Sequence, residues 1–191
     1  MEGFWVSLGL IFVAEMGDKT QLVALSFATR FSARVVLAGV FWATLLVHAF
    51  SVALGDLVAR LLPPGWTVLI AGLSFIGFGL WTLRGDRLEG EDRRVGKLTS
   101  PFWIVAITFF LAELGDKTML GTVTLATQYS LVQVWLGSTL GMVAADALAI
   151  WVGRALGHRL PEKVVKVGAA AIFFAVGLAY AVQGVRELGL F

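Results

Sequence analysis

Apolar residues run along the chain in six long stretches, near 4–28, 35–59, 66–83, 102–127, 132–157 and 164–185. Short polar breaks separate them at Arg30 to Arg34, at Pro63-Pro64-Gly65, along the charged stretch Arg84 to Lys97, at Gln128 to Ser130 and around His158 to Lys163. A helix crossing a bilayer takes about 20 apolar residues, so each stretch predicts one transmembrane span. The first stretch is expected to be a retained span and not a cleaved signal. It follows Met1-Glu2 without a basic segment, is too long, and carries charge at its centre.

The pattern repeats. Glu15-Met16-Gly17-Asp18-Lys19-Thr20 recurs as Glu113-Leu114-Gly115-Asp116-Lys117-Thr118, displaced by 98 residues. The same displacement pairs Gly39 with Gly137, His48 with Asp146, Gly55 with Gly153, Pro63 with Pro161 and Gly79 with Gly177. Each half is therefore a unit of three helices: a first repeat at 1–85, a charged connection at 86–100 and a second repeat at 101–191. Three crossings per unit force the second copy to enter from the opposite face. The fold class this predicts is all-α integral membrane, six transmembrane helices arranged as two inverted three-helix repeats, an architecture common among secondary transporters.

Composition agrees. Of the 191 residues 58% are apolar and 15% charged, whereas soluble domains run at about 45–50% and about 25%. A soluble enzyme, a nucleic-acid module and a disordered linker are thereby excluded, and the lipid bilayer is the first partner. The net charge of +2 does not point to nucleic acid, because the basic residues are scattered through short breaks. Cysteine is absent, which removes disulfides, thiolate ligands and thiol nucleophiles. Eleven basic residues (Arg30, Arg34, Arg84, Arg87, Arg93, Arg94, Lys97, Arg154, Arg159, Lys163 and Lys166) fall on one side of the expected topology, against Arg60 and Arg186 on the other. The positive-inside rule then puts both termini outside and the loop at 84–100 in the cytoplasm.

Seven ionisable groups sit inside expected spans: Glu15, Asp18 and Lys19 in the first, Glu113, Asp116 and Lys117 in the fourth, and Asp146 in the fifth. Insertion scales assign about 2.5–3.5 kcal/mol to each such group, or roughly 20 kcal/mol before pairing and hydration. Such groups mark ion pathways by default, the alternative being ion pairs that join helices. Residues three apart share a helix face, so Glu15 with Asp18 and Glu113 with Asp116 are expected to point together. Inversion would bring the two faces together at the midplane. Four converging carboxylates suit a hard or borderline divalent cation such as Ca²⁺, Mg²⁺ or Mn²⁺. Gly17 and Gly115 lie inside the pairs, where glycine can loosen a helix toward a cavity.

One turn further on the same face stand Gln21 and Met119, a hard carbonyl oxygen and a soft thioether in equivalent places. As ligands they would bias the site toward Mn²⁺; the alternative for Met119 is packing. Thr20 and Thr118 either add hydroxyls to the site or bond back to their own helix. Lys19 and Lys117 project about 100° from their aspartates. They are expected outside the ion's coordination shell, holding a carboxylate or lowering the negative charge, and an ammonium could stand in for the ion in the empty state. Thr44, His48 and Ser51 form an inward polar stripe, with His48 either carrying a proton or bonding between helices. Asp146, a buried carboxylate, needs a partner. Asp56, near a span end, reads as an interfacial anchor. Gly137-x-x-x-Gly141 and the glycines of the third and sixth spans read as close-packing faces. Trp5, Trp66, Trp81, Trp103 and Trp135 fit an interfacial aromatic belt.

The duplicated E-x-G-D-K-T resembles the signature of the cation/proton exchangers that include bacterial manganese exporters and the Golgi and chloroplast manganese/calcium transporters. The likeness covers both motifs, the three helices of each half and the charged connection. It implies exchange of Mn²⁺ or Ca²⁺ for protons, with Glu15, Asp18, Glu113 and Asp116 at the ion site and Lys19, Thr20, Lys117 and Thr118 as motif members. It also implies no permanent cofactor, a divalent cation as substrate, H⁺ as coupling ion and, by likeness to the compact bacterial members, export at the plasma membrane. Independently, an interior-negative potential of 100 mV pulls a divalent cation inward by about 4.6 kcal/mol, so export must be driven.

Three other classes fit parts of the same pattern. A Gly-Asp on a membrane helix also serves intramembrane aspartyl proteases, but here Glu precedes and Lys follows each Asp, and the duplication is symmetric. An exporter of small cationic metabolites such as basic amino acids would need a roomier pocket. A passive divalent cation channel would conduct without regard to proton supply.

Overall fold

A computed structural model of the chain describes residues 1–84, 100–156 and 162–190. These residues form eight α-helices and no strand: α1 (Glu2–Glu15), α2 (Lys19–Arg30), α3 (Ala33–Leu61), α4 (Pro64–Arg84), α5 (Pro101–Glu113), α6 (Lys117–Ala126), α7 (Leu131–Leu156) and α8 (Glu162–Glu187). The expected charged connection, apart from Ser100, lies outside the described residues, as do Arg87, Arg93, Arg94, Lys97, His158, Arg159 and Pro161.

Four helices are long and apolar enough to cross a membrane, at Ala33–Leu61, Pro64–Arg84, Leu131–Gly153 and Lys163–Glu187, and Pro101–Glu113 is a shorter apolar helix. This is a multi-pass, all-helical membrane protein. Its surface is inverted relative to a soluble domain: Leu46, Phe50, Leu57, Leu73 and Trp151 are exposed, while Glu15, Glu113, Asp146 and His48 are fully buried.

Two expected spans differ from the prediction. The stretches near 4–28 and 102–127 are not continuous helices but pairs, α1–α2 and α5–α6. The cause is the glycine of each motif: Gly17 has φ 76° and Gly115 φ 81°. That left-handed conformation interrupts the helical path, and a side chain would resist it by about 1–2 kcal/mol. Elsewhere the breaks fall where the chain dictates them. Ser32 caps α3 by accepting from the amide of Val35, and Pro64 and Pro101 each open a helix at its first position.

Adding 98 to the starts of α1–α4 gives positions within one residue of the starts of α5–α8. Packing follows the same rule. Along α7, Gly137 lies against Phe4 and Gly141 against Leu8, so α1 and α7 run parallel in close contact, as the glycine spacing predicts. Along α4, Gly65 meets Leu188, Gly72 meets Ala181 and Gly79 meets Phe174, so α4 and its counterpart α8 run antiparallel. Phe75 stacks on its counterpart Phe173 with ring centroids 6.2 Å apart. Two apolar clusters flank the polar middle. One contains Ile11, Val52, Leu125 and Val134; the other contains their counterparts Phe109, Ile150, Phe27 and Val36.

Of the expected belt, Trp5, Trp66 and Trp103 are exposed. Trp135 and Trp81 instead pack against the core, and the Trp135 indole donates to the carbonyl of Leu45 at 2.9 Å. Asp56 pairs with Arg60 at 2.8 Å on the exposed end of α3.

Candidate functional site

Each helix break places a glutamate and an aspartate at facing helix ends. Glu15 is the last residue of α1 and Asp18 caps the start of α2, accepting from the Lys19 amide at 2.6 Å. Glu113 and Asp116 hold the same positions around α5 and α6. The two acids of each motif therefore meet through a turn, closed by the Asp18 amide on the Glu15 carbonyl at 3.0 Å and the Asp116 amide on the Glu113 carbonyl at 3.2 Å. The expected shared face of one continuous helix is replaced by this turn, which the positive φ of the glycine makes possible.

The threonines reach back across the break. Thr20 donates to Glu15 Oε1, and Thr118 donates to Glu113 Oε2 at 2.5 Å. Neither hydroxyl bonds to its own helix backbone; each holds one oxygen of the motif glutamate and leaves the other to the interior.

Gln21 and Met119 brace the turns. The Gly17 amide donates to Gln21 Oε1 at 2.8 Å, and the Gly115 amide donates to Met119 Sδ at 3.2 Å. Gln21 also ties α2 to α7 by donating to the Ala145 carbonyl at 3.0 Å. The donor atoms expected as ion ligands are thus turned to the motif backbone, which stabilises an amide freed by the helix break.

The lysines cross between repeats. Lys117 Nζ lies 2.7 Å from Asp18 Oδ2, and Lys19 Nζ lies 3.8 Å from Asp116 Oδ1. Each motif cation serves the other motif's aspartate. The pairs are unequal: the Lys117 side chain is 4% exposed and the Lys19 side chain 22%.

Asp146, next to the Ala145 carbonyl held by Gln21, joins the cluster. The charges acting on Glu15 are Asp146, Glu113 and Asp18, and Asp18 acts on Asp146. His48 is fully buried in the stripe with Thr44 and Ser51, but neither ring nitrogen has a hydrogen-bond partner among the described residues. The structure therefore brings Glu15, Asp18, Glu113, Asp116 and Asp146 together with Lys19 and Lys117, and leaves His48 without a bond to them. Five carboxylates face two ammonium groups, all but Lys19 nearly or fully buried. Fully ionised, that set carries three uncompensated negative charges.

Among the described residues, Glu15 Oε2, Glu113 Oε1 and both oxygens of Asp146 have no hydrogen-bond partner. Buried carboxylate oxygens without a partner are costly, and a cation or a proton is what relieves them. In this arrangement no three of the described acidic or imidazole groups close to a metal-ligand set. Two contacts were not anticipated from the residues. Thr44 donates to Met142 at 3.3 Å, and Tyr180 donates to Tyr129 at 2.7 Å, far from the motifs. The first joins counterparts under the 98-residue displacement, which is a signal present in the sequence.

A family model described as "Divalent cation/proton antiporter GDT1" matches the chain twice, over residues 3–90 and 101–188. Both ends of the two matches are displaced by 98, the offset of the motifs. A "Putative manganese exporter" of Vibrio cholerae is 35% identical over 179 residues, covering 92% of this chain and 88% of that protein. The "GDT1-like protein 5" of Arabidopsis thaliana is 27% identical over 215 residues, covering 93% and 94%. "Protein PAM71-homolog, chloroplastic" of Arabidopsis thaliana is 32% identical over 209 residues, covering 93% of this chain and 58% of that protein. No solved structure matches the chain significantly.

Proposed function

The chain belongs to the GDT1 family of divalent cation/proton antiporters, and on that premise we propose that it exports Mn²⁺, with Ca²⁺ as the alternative cargo, in exchange for protons at the carboxylate cluster between the two motifs. The observation that carries this reading is the set of buried, unpartnered oxygens on Glu15, Glu113 and Asp146 beside the crossed ion pairs. Crowded carboxylates take up a divalent cation or protons and cannot hold both, which is the competition an exchanger needs.

In this reading Glu15, Asp18, Glu113, Asp116 and Asp146 bind the cargo when ionised, and protons arriving from outside release it. Thr20 and Thr118 orient the glutamates. Gln21 and Met119 hold the turns that present them. His48, at the position that mirrors Asp146, carries protons or steadies α3. The Mn²⁺ relative of Vibrio cholerae, which aligns along nearly its whole length, favours manganese and the plasma membrane.

The topology in this reading has six crossings as two inverted repeats, 1–85 and 101–191, with both termini extracytoplasmic and the connection at 86–100 cytoplasmic. Neither α1 nor α2 is long enough alone: 14 and 12 residues give about 21 and about 18 Å of helix, against about 30 Å of hydrocarbon. Together they reach across, as do α5 and α6. Antiparallel packing of the counterparts α4 and α8 supports inversion. Helix breaks facing each other at the repeat interface are where alternating-access carriers bind their cargo.

Mn²⁺ flux into proteoliposomes under an imposed pH gradient, with the membrane potential clamped, tests this. Flux that follows the proton gradient and resists excess Ca²⁺ is the expected result. Strong Ca²⁺ competition makes the protein a broad divalent exchanger, flux indifferent to the gradient makes it a channel, and absence of metal flux shifts the reading to a small cationic metabolite.

A further inference from the structure

The crossed ion pairs do more than neutralise. Lys117 Nζ sits 2.7 Å from Asp18 Oδ2, almost fully buried, with Glu15 and Asp116 as the further charges acting on it. An ammonium group there occupies the face of Asp18 that a cargo cation would use, and both cannot touch that oxygen at once. We propose that Lys117 is a tethered competitor for the cargo site, and that this competition makes the site select divalent over monovalent cations. The inference rests on the carboxylate cluster being the cargo site.

The selection follows from charge and tethering. A monovalent cation offers Asp18 the same charge that Lys117 already supplies, and must shed water to do so. Lys117 is attached to α6, so its effective concentration at Asp18 is set by the reach of one side chain and not by the bulk solution. Sodium or potassium therefore gains nothing by displacing it. A divalent cation brings twice the charge to the same oxygens, doubling the Coulomb attraction, and further recruits Glu15, Glu113 and Asp146, whose unpartnered oxygens Lys117 leaves open. Only such an ion repays breaking the pair. The ammonium keeps its charge throughout and moves aside, so that it also tempers the gain on binding and lets the cargo leave again.

The two lysines are unequal in this role. Lys19, at 3.8 Å from Asp116 and partly exposed, holds its aspartate less firmly, so removing it has the smaller effect.

The test is Mn²⁺ binding to the full-length protein in lipid nanodiscs, read from the loss of the free-ion electron paramagnetic resonance signal, in sodium chloride and in choline chloride at equal ionic strength. Wild type is expected to bind equally in both salts. Lys117→Gln is expected to bind at least tenfold more tightly in choline, the factor that about 1.4 kcal/mol of lost competition produces, and to lose that gain in sodium. Lys19→Gln should show the same changes, but smaller. Lys117→Arg keeps the charge and grips a carboxylate through two donors, so it should weaken Mn²⁺ binding while staying insensitive to sodium; it serves where the Gln variant does not fold. A folded Lys117→Gln protein with wild-type affinity and no sodium sensitivity overturns the competitor role, as does one that no longer binds, or Lys117→Arg with unaltered affinity. Asp18→Asn separates the two levels: if it binds Mn²⁺ as wild type does, the cargo site itself is misplaced and the competitor role falls with it.

Discussion

Thr44 donates a hydrogen bond to Met142 at 3.3 Å, and the two residues are 98 apart, the offset of the repeat. Phe75 likewise stacks on its own counterpart Phe173, between α4 and α8. The crossed pairs Lys117–Asp18 and Lys19–Asp116 exchange under the same offset. Contacts between counterparts thus recur at both the α3–α7 contact and the α4–α8 contact.

The Thr44–Met142 contact predicts a cross-link. Since the chain has no cysteine, a Thr44→Cys/Met142→Cys double variant starts from no background. Mild oxidation or a short thiol-specific linker should join α3 and α7, which is seen as one peptide spanning both helices after proteolysis. Either single variant should give no such product.

The helix breaks predict a glycine requirement. Nothing lies within 4 Å of a Cβ placed on Gly115, so Gly115→Ala tests the φ of 81° and not space. It should destabilise the protein by about 1–2 kcal/mol, seen as a lower thermal midpoint, and reduce transport. Gly115→Asn should recover part of both, because Asn tolerates the left-handed region better than other side chains.

The threonine contacts predict a conservative rescue. Thr118→Val removes the donor to Glu113, a bond to a charged group worth about 1.5–3 kcal/mol. Mn²⁺ transport should fall at least tenfold, about 1.4 kcal/mol. Thr118→Ser, which keeps the hydroxyl, should restore most of it. At Glu15, Thr20→Val should show the same loss and Thr20→Ser the same recovery.

The braces predict that Met119→Gln is tolerated. Gln stands at the equivalent position 21 and accepts from the equivalent glycine amide. The variant should keep its transport rate and its ratio of Mn²⁺ to Ca²⁺ flux, whereas Met119→Ala, which leaves the amide of Gly115 without its acceptor, should lose rate. A shift toward Ca²⁺ in Met119→Gln would instead make the sulfur a cargo ligand.

Much of this was legible in the residues. The breaks at Arg30 to Arg34, at Pro63-Pro64-Gly65 and at Gln128 to Ser130 fall between helices as expected, and the Thr44, His48 and Ser51 stripe turned inward as its spacing required. The helix breaks were only half legible: glycine between two acids announces a weak point, but whether Gly17 merely loosens the helix or interrupts it depends on a tertiary setting that the helical pattern does not encode. The direction of Lys117 was not legible either. Its angle from Asp116 says that it points elsewhere, and only the packing of one repeat on the other puts Asp18 there. Gln21 and Met119 stood at helical spacing from the motif acids, and the backbone amides that the break frees, to which both bond, could not be foreseen from that spacing. Trp135 sits near a span end, but the carbonyl of Leu45 gave its indole a partner inside.

The central claim is that the motif carboxylates bind the transported ion and yield it to protons. The most direct test is Mn²⁺ uptake into proteoliposomes driven by a proton gradient, comparing wild type with Glu15→Gln and Asp116→Asn, each shown to be folded by its thermal midpoint. The account predicts gradient-driven uptake by wild type and a loss of at least a hundredfold in each variant, the factor about 2.7 kcal/mol of lost stabilisation produces. Folded variants that transport Mn²⁺ at the wild-type rate would contradict it.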